Sequence, residues 1–483
     1  MTTHSTRTGG LDAAINDAVQ PVTDAVSSVV FYAIPVAGTD MPLIVLWLIG
    51  GGLFFTLYLG FINLRGFRHA CRVISGRYAK DGDPGEISQF SALTTAISGT
   101  VGIGNIAGVA VAISVGGPGA TFWMIVAGLL GMSTKLAECT LGVRYRRVNA
   151  DGQVAGGPMY YLRHGFAELG HPGIGRALGA FYAAAMVFGC LGIGNMFQSN
   201  QAAAILINIS GGEASMLADK AWLIGVVLAL AVGIITIGGI RSIAATTVRL
   251  VPFMALLYTG LGLLVILMHA DALPAAAARI WHGAFSPDGI AGGIVGVLIT
   301  GFRRAVFSNE AGLGSAAIAH STARTPYPAS EGHVALLEPF IDTVVICTIT
   351  ALVIVLTGTD LTSAPGVNGI EMSTRAFTSV FAWAHVPLAI AAILFAFSTM
   401  IAWSYYGLTA FQYLVGNSRL AEVGFKLFFL GFVILGASIE LSAVVDLSDA
   451  LVFVVAIPNL IGLYLLAPVI KAEVKRYVAL DRY

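Results

Sequence analysis

The sequence predicts an all-α integral membrane protein of about 11 transmembrane helices, one leading helix plus a 5+5 inverted repeat whose first helices are interrupted. Three observations carry that fold class. Mean hydropathy is +0.83. Only 11% of the 483 residues are charged, against about 25% in soluble domains. No long hydrophilic stretch separates the apolar segments, so the chain reads as one membrane domain with no soluble module attached.

The elements follow in chain order. Residues 1–40 form an extracytoplasmic segment, with an amphipathic helix from about Asp12 to Tyr32 lying at the membrane surface. The basic-then-apolar pattern of a cleavable signal is missing. Segments of about 20 mostly apolar residues start near Met41, Thr94, Gly119, Gly179, Trp222, Ile243, Gly289, Val334, Ala384, Gly424 and Leu447. The transmembrane domain thus spans 41–470, with repeat 1 at about 94–268 and repeat 2 at about 289–470, and 471–483 is a tail.

Charge sets the orientation, because cytoplasmic loops retain Lys and Arg. Arg65, Arg68, Arg72, Arg77 and Lys80 follow the first span. Arg144, Arg146, Arg147, Arg163 and Arg176 follow the third, and Lys471, Lys475, Arg476 and Arg482 lie in the tail. Alternating sides put all of these on one face, opposite a face with only Arg7, Lys220, Arg279 and Arg375. The N-terminus is predicted outside and the C-terminus in the cytoplasm, in a plasma membrane, the bacterial inner membrane.

Composition also excludes functions. With 26 basic and 26 acidic residues the formal charge is zero, so no nucleic-acid partner is expected. Cys71, Cys139, Cys190 and Cys347 show no C-x-x-C spacing, hence neither a disulfide framework nor a zinc site. His164, His171, His269 and His282 lie in the loops, which leaves a membrane oxidoreductase without haem ligands. A channel would need a pore-lining ring or a selectivity loop, and neither is visible.

The repeat rests on two unusual spans, TTAISGTVGIGNIAGVAVAI and GVLITGFRRAVFSNEAGLGSAAIA, the first members of their halves. Both carry N-x-A-G, at Asn105–Gly108 and Asn309–Gly312, and both have central glycines. Five spans per half is an odd number, so the second half enters the membrane from the other side. Unwound backbone survives in a membrane only around a cavity, where freed N–H groups meet an anion and freed carbonyls a cation. Close helix packing accounts for such glycines in one span alone; two matched spans favour interruption. Gly102–Ala107 also fits the G-x-G-x-x-A turn of a dinucleotide fold. Its flanks are apolar membrane helix, however, and the first acid downstream is Glu138, so that reading fails on context.

SGTVGIGNIAGVA, GIGNMFQSNQA (Gly192–Ala202), GFRRAVFSNEAGLGSAA and FSTMIAWSYYG (Phe397–Gly407) resemble the alanine or glycine:cation symporters over essentially the whole membrane domain. The resemblance implies a leucine-transporter-like fold and a symporter, not an enzyme. It would couple uptake of a small neutral amino acid, alanine or glycine, to sodium entering with it, or sometimes to protons. No organic cofactor is implied; sodium is the coupling ion, and membrane lipids surround the chain.

Under that resemblance the sodium ligands would be the carbonyls of Ser98, Val101 and Phe395 with the hydroxyls of Ser398 and Thr399. The alternative for both hydroxyls is back-bonding to their own helix. For the substrate, amides around Gly102, Gly104 and Asn105, with the Thr100 hydroxyl, would meet the carboxylate. Unwound carbonyls near Gly301 and Phe302, with Ser308 and Asn309 beyond them, would meet the ammonium. Asn195, Gln198 and Gln201 form a polar stripe in an apolar helix, and Gln198 near its middle is the expected substrate contact. Interhelical bonding is the expected role of Asn200 and Gln201. Phe302, Phe307 and Trp403 would cap the cavity around a small side chain, although shape alone leaves alanine against glycine open. Arg303, Arg304 and Glu310 are costly at membrane depth and are expected to pair, with one another or with Glu338 and Asp342, as a gate or as fixed structure. Lys135 and Glu138, one turn apart, form a second such pair.

Overall fold

The computed structural model describes residues 11–36, 38–80, 82–148, 152–286, 292–362, 369–439 and 441–480. Residues 1–10 of the N-terminal segment, the expected span start at Gly289 and residues 481–483 lie outside them.

Helix α1 (Leu11–Val30) comes first, followed by an antiparallel hairpin of β1 (Ala33–Val36) and β2 (Thr39–Pro42) that pairs Ala33 with Pro42. The apolar helix α2 (Leu43–Tyr58) leads into the bundle. Next come α3 (Gln89–Thr100) and α4 (Ala107–Gly116), bent by 59° at the break between them. Helix α5 (Ala120–Arg144) ends in a short hairpin of β3 (Arg147–Val148) and β4 (Val154–Ala155). There follow α6 (Pro172–Ile209), α7 (Ala221–Ile237) and α8 (Gly239–Met268). Then come α9 (Gly293–Asn309), α10 (Ser315–His320) and α11 (Pro328–Leu356). The chain closes with α12 (Ala382–Val415), α13 (Arg419–Ser438), α14 (Leu441–Leu465) and α15 (Ala467–Val478).

Among the described residues, seven helices are long and apolar enough to cross a membrane, and the α3–α4 pair makes eight if it is one bent span. The expected count of about eleven exceeds this by α2, α7 and α9, of which α2 and α7 are shorter apolar helices and α9 carries Arg303 and Arg304 in its 17 residues. His164 and His282 sit on connecting helices, Pro158–Glu168 and Leu273–Phe285, and not in loops. Helix α1 packs on α14, and Phe31 just beyond it meets Phe453 edge-on at 5.4 Å.

Local chemistry explains both interruptions. Ser88 caps α3, its hydroxyl accepting from the Ser91 amide, and the helix stops where Val101 turns extended at φ −75, ψ 91. The second interruption overlaps the N-x-A-G match at Asn309–Gly312 and does not reach back to Gly301 and Phe302. Helix α9 runs unbroken through Gly301 and Phe302, so their carbonyls stay in the helical ladder. Gly301 is there for packing: a Cβ would lie 2.6 Å from the Trp123 Cβ and 2.7 Å from the Ala120 carbonyl oxygen. The chain breaks instead at Glu310–Gly314, where Glu310 (φ 57), Gly312 (φ 96) and Gly314 (φ 76) all adopt left-handed or mirror conformations. Glycine is needed at 312 and 314 twice over, because a Cβ would also meet Leu48 or Pro158 at 2.4 Å.

Candidate functional site

The two breaks lie against each other in the centre of the bundle, and every residue from Ser98 to Ala110 is buried. Asn105 organises the first. Its Oδ1 accepts from the Gly102 amide at 2.9 Å, while its Nδ2 donates to the Asp342 carboxylate at 2.6 Å and the Asp342 carbonyl at 3.1 Å. Asp342 also accepts from the Ser308 hydroxyl at 2.8 Å and the Thr343 hydroxyl at 2.6 Å. Asn309 donates to Thr343 at 2.9 Å and accepts the Ala311 amide at 2.9 Å. Ser308 and Asn309 on α9 are thereby joined to Asn105 through α11.

Helix α6 supplies Gln198. A π-helical turn at Gly192–Met196 frees the Ile193 carbonyl, which accepts from Gln198 Nε2 at 2.9 Å. Gln198 Oε1 then accepts from the Ile103 amide at 3.1 Å, so this side chain reaches the first break. The other members of the stripe turn elsewhere: Asn195 donates to the Phe429 carbonyl at 2.8 Å and Asn200 to the Ile439 carbonyl at 2.6 Å, both towards α13. Gln201 donates to Asn200 at 3.0 Å. Thr100 is the last residue of α3, and its hydroxyl donates to the Ile97 carbonyl of its own helix at 3.3 Å.

Trp403 on α12 bridges the breaks. Its Nε1 donates to the Gly99 carbonyl at 3.2 Å and to Glu310 Oε1 at 3.0 Å. Glu310 also accepts from the Ser315 hydroxyl across the second break. Phe307 stands over the first break, 3.6 Å from where a Cβ of Gly104 would be, edge-on to Phe197 at 5.2 Å. Phe302 is buried on the same helix, and among the described residues no hydrogen bond or ring contact ties its side chain to either break.

Of the oxygens named for the cation, those of Ser98 and Ser398 meet between α3 and α12, and that of Thr399 lies beside Gly102. The Ser398 hydroxyl lies 3.4 Å from the Ser98 carbonyl and donates to the Phe395 carbonyl at 2.9 Å. The Thr399 hydroxyl is buried and has no hydrogen-bond partner among the described residues, and a Cβ on Gly102 would come within 2.5 Å of it. Val101 leaves the helix at this point, which takes its carbonyl off the ladder. An orphaned buried hydroxyl amid carbonyl oxygens fits a small hard cation, which takes oxygen ligands.

The expected ion pairs form with other partners. Arg303 and Arg304 both meet Asp449 on α14, Arg303 at 3.1 Å, and not Glu310, Glu338 or Asp342. Their guanidinium groups also face the Phe31 ring at 4.3 Å and the Phe307 ring at 5.0 Å. Lys135 pairs with Glu338 at 3.2 Å and not with Glu138. Glu138 is an organiser that sequence reasoning missed. Its Oε1 accepts from the amides of Gly312 at 2.9 Å and Gly314 at 3.0 Å and from Asn459 Nδ2 at 2.8 Å, capping the second break. Asp342 was named only as an arginine partner; its signal was a carboxylate inside the apolar run of α11.

A profile of the "Sodium:alanine symporter family" matches residues 24–482. The sodium/alanine symporter AgcS of Methanococcus maripaludis is 39% identical over 443 residues, 90% of this chain and 94% of that one. The probable sodium/glutamine symporter GlnT of Bacillus subtilis is 34% identical over 437 residues, 90% of this chain and 87% of that one. Among solved structures, the crystal structure of MhsT in complex with L-phenylalanine superimposes with a TM-score of 0.56 at 15% identity, covering 82% of this chain and 99% of that one. That likeness concerns the fold.

Proposed function

The chain belongs to the sodium:alanine symporter family, and from that premise we propose that it couples sodium entering the cell to uptake of a small neutral amino acid, alanine or glycine. Transport proceeds by alternating access through about eleven spans, the last ten forming an inverted repeat whose first members are α3–α4 and α9–α10. The N-terminus is outside and the C-terminus cytoplasmic, in the plasma membrane. In domain terms, 1–40 is the extracytoplasmic segment, 41–470 the transporter and 471–483 the tail.

The single observation carrying the reading is the Thr399 hydroxyl, buried without a partner beside Gly102 and the Ser398–Ser98 contact. Sodium is held by the carbonyls of Ser98, Val101 and Phe395 with the hydroxyls of Ser398 and Thr399. A cation here ties α3 to α12 at the residue before the unwound turn. It therefore stabilises the turn formed by Gly102, Gly104 and Asn105, which receives the substrate carboxylate. Ser308 and Asn309 line the far side, and Phe307 and Trp403 limit the space to a small side chain. Gln198 positions the turn through the Ile103 amide and contacts the substrate there.

Thermal unfolding of the purified chain tests this reading. Alanine or glycine should raise the midpoint in sodium and leave it unchanged in potassium at the same ionic strength. Equal stabilisation in both salts would overturn sodium coupling, and a pH-dependent rise without sodium would favour proton coupling.

A further inference from the structure

A second buried cluster of ionisable groups lies on the side of the second break away from the proposed cation oxygens and supplies none of the residues named there. His320, the last residue of α10, has Nδ1 2.5 Å from Glu331 Oε1 and Nε2 2.5 Å from Glu338 Oε1. All three side chains are fully buried. Glu338 Oε2 meets Lys135 Nζ of α5 at 3.2 Å, and Gln89 at the start of α3 donates to Glu331 Oε2 at 2.9 Å. One network therefore joins α3, α5, α10 and α11. The other ionisable groups facing it are Glu138 and Cys139 of α5, Arg146 just beyond α5, Glu310 at the second break, Asp342 of α11 and Tyr406 of α12.

A neutral imidazole has one N–H and one lone pair. Here both ring nitrogens lie within hydrogen-bond distance of carboxylate oxygens, so an unprotonated cluster would set a lone pair against an anion. One added proton removes the conflict and balances the charge: Lys135 and His320 positive, Glu331 and Glu338 negative. Without it these four groups carry one net negative charge in a buried site, which is costly even with Arg146 facing Glu331. The donor atoms of Cys139, His320 and Glu338 lie within 4.8 Å of one another. A metal ion there would stand beside the Lys135 ammonium, whereas a proton needs no such room.

The cluster is also closed off beyond His320. The Glu86 amide donates to the Thr322 carbonyl at 2.8 Å, and the Arg324 amide to the Ile87 carbonyl at 2.8 Å. Arg146 donates to the carbonyls of Pro84 at 2.7 Å, Ser321 at 2.8 Å, Ala323 at 2.6 Å and Thr325 at 2.8 Å, binding the stretch before α3 to the stretch after α10.

We propose that His320, between Glu331 and Glu338, is a proton-binding site whose proton stays in place throughout the transport cycle and holds α3, α5, α10 and α11 together as one moving body. Retention of the proton through the cycle rests on the transport reading; the bound proton itself does not. His320 is thus a positioning residue, and its proton is not the coupling ion.

Charge balance gives the test. Glu331→Gln keeps neutrality if the ring turns neutral, because the new amide donates to Nδ1. His320→Gln leaves one charge uncompensated, and His320→Gln/Glu331→Gln restores neutrality. The full chain, ¹⁵N-labelled at histidine, should show one imidazolium persisting at about pH 8, absent from His320→Gln and from Glu331→Gln. His320→Gln should lower the thermal midpoint by about 5 °C or more, and the double variant should recover most of that loss. No persisting imidazolium, or a His320→Gln chain as stable as the parent, would overturn the bound proton. An alanine-uptake pH profile that titrates in the parent between about pH 6 and 8 and flattens in Glu331→Gln would overturn its retention. Spectrum and stability need no substrate, so failure of the transport reading would leave both readouts intact.

Discussion

Asn105 holds the first break to Asp342: one side-chain amide donates to both the carboxylate and the backbone carbonyl, at 2.6 and 3.1 Å. Because Asn105 Oδ1 simultaneously accepts the Gly102 amide at 2.9 Å, the position of the unwound turn is set from α11. Asp342→Ala leaves the Ser308 and Thr343 hydroxyls without their carboxylate acceptor and Asn105 with the backbone carbonyl alone, at about 1–3 kcal/mol for each buried group left unmet. The expected outcome is a large rise in the amino-acid concentration for half-maximal uptake, with Asp342→Asn markedly milder because it keeps one acceptor oxygen. Equal defects in the two variants would mean that the charge matters and the hydrogen bonds do not.

The glycines of the site separate into two kinds. A Cβ on Gly194 would lie 2.1 Å from Trp403 Cγ, whereas a Cβ on Gly108 would find nothing within 4 Å. Gly194→Ala must displace the indole and break its bonds to Gly99 and Glu310, so uptake should be lost. Gly108→Ala, inside α4, should stabilise the chain by about 0.5–1 kcal/mol through reduced backbone entropy. Melting curves and uptake of both variants check the contrast, which fails if Gly194→Ala transports normally.

Arg303 and Arg304 share Asp449. Removing only one side of a buried pair costs about 3–5 kcal/mol. Asp449→Leu should therefore lower the thermal midpoint more than Arg304→Leu/Asp449→Leu, since Arg303 is partly exposed and the double change leaves less buried charge. A double variant no more stable than Asp449→Leu would contradict the pairing.

Much of this architecture was legible in the sequence because it is local. Gly102 to Asn105 marks the first break, since glycines in an apolar helix with an embedded asparagine are a short-range signal. At the second break the same logic went astray. Gly301 lies in an apolar helix as well, but it is there to let Trp123 and Ala120 approach, and the true turn is marked by N-E-A-G-L-G from Asn309 to Gly314. A glycine that packs and a glycine that turns look alike until the neighbouring helix is known. Long-range partners were less visible still: Asp449 lies 145 residues from Arg304, and Glu138 caps amides 174 and 176 residues away. Nothing in the local pattern specifies such pairs. Gln198 was found from its periodicity, but what it bonds depends on the π-helical turn before it, which apolar spacing does not encode.

The oxygen set around Gly102 carries the account of coupling. Thr399→Val preserves shape and removes the unpartnered hydroxyl, a change worth about 1–1.5 kcal/mol. The sodium concentration for half-maximal uptake should rise about tenfold, while the amino-acid dependence at saturating sodium stays near that of the parent. A shift in amino-acid preference without a shift in sodium dependence would move Thr399 to the substrate.

The most direct measurement is uptake of labelled alanine by proteoliposomes containing the full chain, with external sodium replaced by choline or potassium at fixed pH and membrane potential. Uptake that is saturable in sodium and falls to the level of empty vesicles without it is the predicted result. Undiminished uptake in choline would contradict sodium coupling.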